Sequence, residues 1–481
     1  MKISARFIFA ASLATFCLAG PVRAQTVSNR PAGTRRPSIV LIVADDLGYG
    51  DLGCYGQARI KTPNLDNLAA EGMRFTSFYA GSTVCAPSRA TLMTGRHTGH
   101  VRIRGNGAVP LQPEDRTLAE ILKESGYRTG AFGKWGLGEE GSTGVPGKQG
   151  FEEWFGFLNQ VDAHNYYPTF LNRSDLQGTE RRVELRENLN GQKGRYADDY
   201  FTEAGLNFLR EYQPARFNQY RPVFLYLPYT IPHANDELGQ KTGNGMEVPG
   251  DAPYTNETWP QVEKNKAAMI TRLDKYVGML MAQLKMLKIE SNTVVIFTSD
   301  NGAHKEGGVN PGFFQSTGPL RGIKRDLYEG GIRVPLIVWW PAKIKAGAAS
   351  DLPLAFWDML PTFAGVAGAA PPGGIDGISF LPTLLGEPQV QRHEFLYWEF
   401  HENGFKQAVR MGDWKAVRFG VDGPLELYNL REDIGEKHDV AAGHREVVEK
   451  IETYLKTART SDPNWPVKTA RQTPKKEYDL N

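Results

Sequence analysis

Short, continuous apolar runs constrain the fold of this chain more than any other feature of its sequence. The segment Ser38–Ala44 is apolar from its second residue to its last, and Asp45 ends it. Runs of this length are typical of strands that are buried on both faces, as in a parallel sheet covered by helices. Similar runs recur at 128–132, 223–227, 293–298 and 334–339.

Helical patterns lie between these runs. Leu118, Ile121 and Leu122 form one apolar stripe, and a longer stripe extends from Met269 to Leu287. Strands that alternate with helices predict an α/β sandwich with a large, mostly parallel sheet. The composition fits this class, because 41% hydrophobic and 23% charged residues exclude a disordered chain. Two long loops, 136–150 and 235–263, are expected to form binding surfaces near strand ends.

The pattern changes after about Gly373. Short strand-like pieces at 394–400, 407–410 and 414–418 are joined by tight turns, and a helix is predicted at about 445–458. These pieces predict a small antiparallel sheet with one packed helix. We therefore expect a catalytic domain at 37–373 and a smaller C-terminal α+β subdomain at 374–481.

The first 24 residues have the pattern of a secretory signal peptide. Lys2 and Arg6 precede an apolar run, and small residues precede a cleavage site after Ala24. The alternative is a membrane anchor, but the apolar run is short for a bilayer span. We expect an exported protein, periplasmic or extracellular, with a flexible leader at 25–36 and no stable membrane insertion. The formal charge of +2 falls slightly below zero when this segment is removed, which argues against nucleic acid as a partner.

The strongest chemical signal is the string that begins at Cys85. It resembles the signature of the formylglycine-dependent, arylsulfatase-like sulfatases of the alkaline phosphatase superfamily. The chain matches all of that signature's fixed positions, which are Cys85, Pro87, Ser88, Arg89, Leu92, Thr94, Gly95 and Arg96. The resemblance extends from about residue 37 to 439. It implies an alkaline-phosphatase-like three-layer fold and hydrolysis of sulfate monoesters, R–O–SO₃⁻ plus water giving R–OH plus sulfate.

The resemblance also implies that Cys85 is modified. In this family a separate maturation enzyme oxidises the cysteine to an aldehyde, formylglycine (3-oxoalanine). The hydrated aldehyde carries two hydroxyls on one carbon, so that one can attack sulfur and the other can later expel sulfate as the carbonyl re-forms. A serine at this position would be trapped as a stable sulfate ester. We expect Cys85 to supply the nucleophile in this form.

Acidic and amide side chains follow two of the predicted strands. Asp45 and Asp46 follow the first strand, and Asp300 and Asn301 follow the strand at 293–298. Such residues often only cap the next helix. Ligands of α/β sheets, however, gather at the carboxyl ends of strands, and four oxygen donors suit a hard divalent cation rather than zinc. The family places its calcium ligands at these four positions, with the modified Cys85 as a further ligand.

Three further residues match sulfate-binding or catalytic positions of the family. Lys134 and Lys324 match its two sulfate-binding lysines, and His233 matches the histidine that serves the leaving-group oxygen. Together with Arg89, the lysines would offset charge on the sulfate as the S–O bond breaks. Arg89 is alternatively a residue that orients the nucleophile and the Asp45 region. Asp300 is expected to take a proton from the attacking hydroxyl, and His233 to give one to the leaving oxygen.

One position departs from the family pattern. Family members commonly read Gly-Lys-Trp-His, whereas this chain has Gly136 where the histidine would stand. That histidine helps to deprotonate the second hydroxyl in the release step. His164, in a His-Asn-Tyr-Tyr-Pro stretch that occurs with the glycine form in similar bacterial members, is the candidate substitute, and a packing role is the alternative. Five residues after the nucleophile loop either line a polar pocket or belong to the scaffold: His97, His100, Arg102, Arg104 and Asn106.

The predicted function is therefore a secreted sulfatase that acts on a sulfated small molecule or saccharide. Three alternatives stay open at this point. A phosphodiesterase or phosphonate hydrolase of the same superfamily would keep the Cys85 motif. A non-catalytic binder of sulfated glycans would keep the fold and lose turnover, and an unmodified Cys85 would leave the enzyme without its nucleophile.

Overall fold

The structure is a computed structural model that describes residues 35–107, 109–174, 179–214, 216 and 220–467. The predicted signal peptide lies outside these residues. Within them, sixteen strands are found: Ser38–Ala44 (β1), Met73–Phe75 (β2), Phe78–Tyr79 (β3), Arg128–Lys134 (β4), Glu153–Phe157 (β5), Phe170–Ser174 (β6), Glu180–Glu184 (β7), Val223–Pro228 (β8), Thr293–Ser299 (β9), Leu336–Trp339 (β10), Ala348–Ser350 (β11), Leu354–Ala355 (β12), Leu396–Phe400 (β13), Lys406–Met411 (β14), Trp414–Phe419 (β15) and Leu425–Asn429 (β16).

Ten α-helices connect and cover the strands in the described part of the chain. They are Pro63–Glu71 (α1), Cys85–Thr94 (α2), Leu118–Glu124 (α3), Ala197–Glu211 (α4), Asp236–Thr242 (α5), Gln261–Met286 (α6), Glu329–Ile332 (α7), Met359–Ala367 (α8), Leu381–Leu384 (α9) and Arg445–Leu455 (α10). Helix α3 begins with a capping box, in which Thr117 accepts from the amide of Glu120 and Glu120 accepts from the amide of Thr117. None of the described helices combines the length and apolarity needed to cross a bilayer.

The apolar runs form the centre of a ten-stranded sheet with the order β11-β2-β10-β9-β1-β8-β4-β5-β6-β7. The five central strands, from β9 to β5, are parallel to one another. The strand predicted at 334–339 is β10, and it runs antiparallel to β9 and β2. The mostly parallel sheet predicted from the sequence is confirmed, with one antiparallel strand on each side of the five central strands, β10 and β6.

Strand β1 shows why the runs are apolar throughout. Ile39, Leu41 and Val43 pack into a core on one face of the sheet, whereas Val40 and Ile42 pack into a second core on the other face. Residues of α2, α3 and α8 complete the first core, and residues of α1, α4 and α6 complete the second. The sheet lies between two helical layers, which is the predicted three-layer sandwich.

The C-terminal pattern is also confirmed as secondary structure. Strands β13 to β16 form a four-stranded antiparallel sheet in sequential order, and Ile451 and Leu455 of α10 pack against its residue Tyr397. The predicted helix at 445–458 ends at Leu455. The domain boundary near Gly373 stays a prediction. The prediction of a loop at 235–263 was wrong in part, because the short helix α5 lies in this stretch. Asn235 caps the start of that helix.

Candidate active site

The ends of the central strands bring the acidic residues together. Because Ala44 of β1 is paired with Ser299 of β9, the residues that follow each strand lie side by side. Asp46 has a positive φ of 64°, and its amide donates to the Oδ1 atom of Asp300 at 3.2 Å. Asp45, Asp46, Asp300 and Asn301 are all fully buried. The four predicted metal ligands therefore form one buried cluster.

Cys85 is the first residue of α2 and points into this cluster. Its Sγ atom lies 3.3 Å from Oδ1 of Asp45 and 3.5 Å from Nζ of Lys134. Asn106, one of the predicted pocket residues, accepts a hydrogen bond from the Ala86 amide at 3.0 Å and so satisfies a free donor at the start of the helix. Cys85 is thus held at the start of a helix.

Arg89 lies one turn further along α2 and joins several members of the site. Its Nε and Nη2 atoms donate to Oδ2 of Asp300 at 3.0 and 2.8 Å, and Nη1 donates to the carbonyl of Lys134 at 2.6 Å. The Ser88 hydroxyl donates to the Asp300 carbonyl at 2.5 Å. These contacts favour the alternative in which Arg89 orients the Asp300 and Lys134 segments.

The two lysines pair with different aspartates of the cluster. Nζ of Lys134 lies 2.6 Å from Oδ2 of Asp45. Nζ of Lys324 lies 2.9 Å from Oδ2 of Asp46, 3.0 Å from Nε2 of His233 and 2.7 Å from Oε2 of Glu306. Both lysines are almost entirely buried, which is rare for lysine unless it is paired.

His233 follows a cis peptide bond between Ile231 and Pro232. Its Nδ1 atom lies 2.6 Å from the Ala234 carbonyl, which can only accept, so Nδ1 carries a proton. Nε2 faces Lys324 and lies 3.5 Å from Oδ2 of Asp46. This ring nitrogen is the one directed into the site.

Burial and charge shift the titration of these groups. Burial alone would raise the pKa of Asp45, but Lys134, His233 and Arg89 hold it well below its usual range. Burial and the neighbouring Asp45 raise the pKa of the Cys85 thiol well above its usual value. Burial and Lys324 lower the pKa of His233. A thiol of this kind is a poor nucleophile, since reactive cysteines have lowered pKa values.

His164 lies beside His233 and Glu237. Its ring stacks on that of His233 with centroids 4.9 Å apart, and its Nδ1 atom lies 3.2 Å from the Glu237 carboxylate. No contact with Cys85 is recorded among the described residues. At Gly136, where φ is 80°, an added Cβ would lie 2.0 Å from Nε2 of Gln160. The space beside Gly136 is therefore filled by Gln160.

Four of the predicted pocket residues have partners within the scaffold. His97 and His100 contact Asp376, Arg102 pairs with Glu114 and Asp115, and Arg104 pairs with Glu399. These contacts fit the scaffold alternative.

Sequence reasoning missed Glu306, His304 and Gln160. Glu306 contacts Lys324, and His304 stacks on His233 with centroids 6.0 Å apart. Glu306 and His304 follow the Asp300-Asn301 pair directly, which was the available signal. Gln160 had none, because only the pairing of β4 with β5 brings it beside Gly136.

Comparison with known proteins identifies the family. A family model described as Sulfatase matches residues 37–369, and one described as N-sulphoglucosamine sulphohydrolase, C-terminal, matches residues 323–461. The chain is 34% identical to arylsulfatase A of Homo sapiens over 467 residues, which covers 86% of this chain and 85% of the relative. It is 33% identical to N-acetylgalactosamine-6-sulfatase of Homo sapiens over 403 residues, covering 79% and 71%.

Solved structures are similar as well. The crystal structure of Ps i-CgsB in complex with k-i-k-neocarrahexaose has a TM-score of 0.75 and 30% identity, and the match covers 91% of this chain and 96% of that one. The phosphonate monoester hydrolase of Agrobacterium radiobacter has a TM-score of 0.62 at 21% identity and shares the fold. The chain therefore belongs to the formylglycine-dependent sulfatase family, with its alkaline-phosphatase-like fold, and is a sulfuric ester hydrolase.

Proposed function

We propose that this chain hydrolyses sulfate monoesters of a saccharide outside the cytoplasm, with a formylglycine made from Cys85 and a bound calcium ion. The observation that carries the proposal is the position of Cys85. Its Sγ atom lies within hydrogen-bonding distance of both Asp45 and Lys134, in a buried cluster at the carboxyl ends of the central strands. The family signature surrounds the same residue.

The residues of the cluster fit a calcium ion. The Oδ1 atom of Asn301 is buried and has no hydrogen-bond partner among the described residues, while its Nδ2 atom donates to Asp46 at 2.6 Å. Three buried carboxylates and this amide oxygen are the hard donors that calcium prefers. Asp45, Asp46, Asp300 and Asn301 would hold the ion, which when bound would polarise a sulfate oxygen and hold the nucleophilic hydroxyl.

The aldehyde derived from Cys85 would supply, as its hydrate, one hydroxyl for attack and one for release of sulfate. The other groups have roles that follow from their positions. The ammonium groups of Lys134 and Lys324 offset the charge of the sulfate oxygens in a buried site, where such interactions are strong. Arg89 holds the Oδ2 atom of Asp300, and Asp300 is proposed to take a proton from the attacking hydroxyl.

His233 is proposed to serve the leaving oxygen. An unactivated alkoxide leaves poorly, so a proton donor at this point lowers the barrier. The Nε2 atom of His233 faces the site and lies 3.0 Å from the ammonium of Lys324, which would supply the proton that Nε2 passes to the leaving oxygen. The hydrogen bond from Nδ1 to the Ala234 carbonyl holds the ring in this orientation.

A saccharide substrate is supported by the relatives. One similar structure was solved with k-i-k-neocarrahexaose, and similar sequences include N-acetylgalactosamine-6-sulfatases. Export is supported by the pattern of residues 1–24. Maturation requires a separate enzyme that oxidises Cys85, and this enzyme is a proposed partner.

Two measurements test the proposal. The mass of the peptide containing Cys85 should correspond to formylglycine, and the protein should release sulfate from 4-nitrophenyl sulfate faster than it cleaves bis(4-nitrophenyl) phosphate. Cys85→Ala should abolish sulfate release. An unmodified thiol in a fully active preparation would exclude the nucleophile, and preference for the phosphate diester would favour the phosphodiesterase alternative. A modified Cys85 with saccharide binding and no turnover would favour a non-catalytic binder.

A further inference from the structure

A cavity of about 470 Å³ lies next to the proposed catalytic groups and is not used by the mechanism above. Its walls come from the segment between β5 and β6 and from helix α5. Its size is within the range of about 300–1,000 Å³ that small-molecule sites occupy. Apolar and charged side chains share the lining, including Val161, Asp162, Phe170, Glu237, Leu238 and Lys241.

The ring of His164 lies between the cavity and His233. Glu237 lines the cavity, and its carboxylate lies 3.2 Å from Nδ1 of His164. The other side of His164 stacks on His233 with a centroid distance of 4.9 Å and an angle of 15° between the rings. A leaving group that starts at His233 and continues past His164 would therefore enter this cavity.

The surface of the cavity fits a sugar ring. Phe170 supplies an apolar ring and Asn165 supplies an amide group, whereas the amide of Asn235 is taken up by Leu238 and Glu247. Val161, at 64% exposure, is one of few large apolar side chains that the described part of the chain leaves open to solvent. Exposed apolar surface beside polar groups is typical of a binding site.

Two of the three charged residues that line the cavity are acidic, and one further cation, Arg182, lies beside it with its guanidinium 4.5 Å from the centroid of the Phe170 ring. Asp162 and Glu237 line it, and Asp236 lies 3.9 Å from Nε2 of His164 at its inner end. Lys241 is the single cation among the described lining residues. A carboxylate or second sulfate placed here would meet like charge, whereas sugar hydroxyls can donate to these carboxylates.

We infer that this cavity binds the unit next to the sulfated one on the leaving-group side, and that it selects an uncharged sugar over an anionic one. This inference rests on the proposed function and specifies its substrate class. Selection would arise from Glu237 and Asp162, with Phe170 and Val161 giving contact area.

Three aryl sulfates of similar leaving-group reactivity test it. They are 4-methoxyphenyl sulfate, 4-sulfooxyphenyl β-D-glucopyranoside and 4-sulfooxyphenyl β-D-glucuronide. We expect the glucoside to have a kcat/KM about tenfold above that of the methoxyphenyl ester, the effect of one or two added hydrogen bonds. The glucuronide should gain no such advantage. Equal kcat/KM values for all three would overturn the inference while leaving the proposed function intact, and hydrolysis of none would reject the function itself.

Two variants test whether these differences in kcat/KM arise in this cavity. Glu237→Gln should reduce the preference for glucoside over glucuronide about fivefold, because it removes one like-charge contact. Thr169→Trp, in the cavity wall, should remove the advantage of the glucoside over the methoxyphenyl ester. Glu446→Gln, an exposed change on α10, is the matched control and should retain the wild-type ratios. Unchanged ratios in both cavity variants, with melting temperatures like that of the control, would overturn the assignment to this cavity.

Discussion

His164 has neighbours that distinguish two roles. The resemblance suggested that it replaces the missing histidine at Gly136 and serves the release of sulfate. Its contacts are instead with His233 and Glu237, on the side where the leaving group would lie. A residue there affects binding and expulsion of the alcohol, whereas a base for release must reach the hydrated aldehyde.

We therefore expect His164→Ala to raise KM for a saccharide sulfate about tenfold, with no burst of alcohol product. His164→Phe is the matched variant, because it keeps the stacked ring and loses the contact with Glu237. It should fall between wild type and His164→Ala. Pre-steady-state assays and trapping of a sulfated enzyme provide the measurement. A burst followed by slow turnover would instead support the role in release.

Both the backbone conformation of Gly136 and its neighbour Gln160 disfavour a side chain at this position. Its φ is 80°, and Nε2 of Gln160 occupies the space that a Cβ would need. Gly141 has a similar φ of 85° with nothing within 4 Å of a built Cβ, so it separates the two effects. A histidine cannot be added at 136 without displacing the buried Gln160 amide.

We expect Gly141→Ala to cost about 1 kcal/mol of unfolding free energy from the positive φ alone. Gly136→Ala should cost about 1 kcal/mol more, because Gln160 must also move. Urea unfolding measures both values. The additional cost should disappear when Gln160→Ala is combined with Gly136→Ala. Equal costs for the two single variants would mean that Gln160 moves freely.

At the scale of elements, the sequence predicted strands where both faces are buried. β1, β8 and β9 are apolar along most of their length, and β4 has the short stretch Gly130 to Gly133 without a polar side chain, so their pattern was clear. The edge strand β7 reads Glu-Arg-Arg-Val-Glu and is half exposed, so it carries no apolar run. Its strand conformation is fixed by pairing with β6, which its own sequence does not indicate.

The residues of the site likewise divide into those that a local sequence pattern marks and those that it does not. Residues at the ends of buried strands and inside the Cys85 motif were identified because their neighbours in sequence mark them. The neighbours of His164 were not identified, since Glu237 comes from α5, a short helix in a stretch that looked like a loop. Contacts between distant loops depend on the folded chain and leave little local pattern.

The segment that carries His233 is fixed by a buried carboxylate on helix α4. The side chain of Asp198 accepts hydrogen bonds from the amide and hydroxyl of Thr230, at 2.9 and 2.7 Å. Burial raises the pKa of Asp198 from 3.8 to about 7, although the bonds from Thr230 act in the opposite direction. The folded protein therefore holds this proton over a pH range in which the unfolded chain has lost it.

This difference predicts that Asp198 costs stability as pH rises from about 4 to about 7, since folding must then retain or bury a charge. Relative to Asp198→Asn, wild type should lose up to about 4 kcal/mol over this range and change little above it. Thermal melts of both proteins from pH 4 to 8 measure the difference. Asp422→Asn, an exposed control, should show no such trend. A constant difference between wild type and Asp198→Asn would reject the prediction.

At the scale of the whole molecule, buried charges connect the small sheet to the main one. Lys415 of β15 is fully buried, and its Nζ atom lies 2.9 Å from Glu329 of α7 and 3.4 Å from Glu436. Arg333 also pairs with Glu329, at 3.1 Å. Helix α7 begins five residues after Lys324, so the same short segment serves the site and this contact.

Removing one member of such a cluster is expensive, because the remaining charges stay buried without their partner. We expect Lys415→Met to lower the free energy of unfolding by about 3–5 kcal/mol. Lys285→Met, an exposed change on α6, should alter it by less than about 0.5 kcal/mol.

The shape of the unfolding curve tests the connection itself. If the small sheet depends on the cluster, Lys415→Met should split one urea transition into two, with the small sheet unfolding first. Tryptophan fluorescence follows this step, because Trp398 and Trp414 lie in β13 and β15. Unfolding of the small sheet should also disturb the position of Lys324, because the segment that carries it leads into α7. KM for an aryl sulfate should therefore rise in the urea range between the two transitions. A single transition at the wild-type midpoint would show that the two sheets are held together by the apolar contacts of Tyr328, Trp357 and Trp398 rather than by these charges.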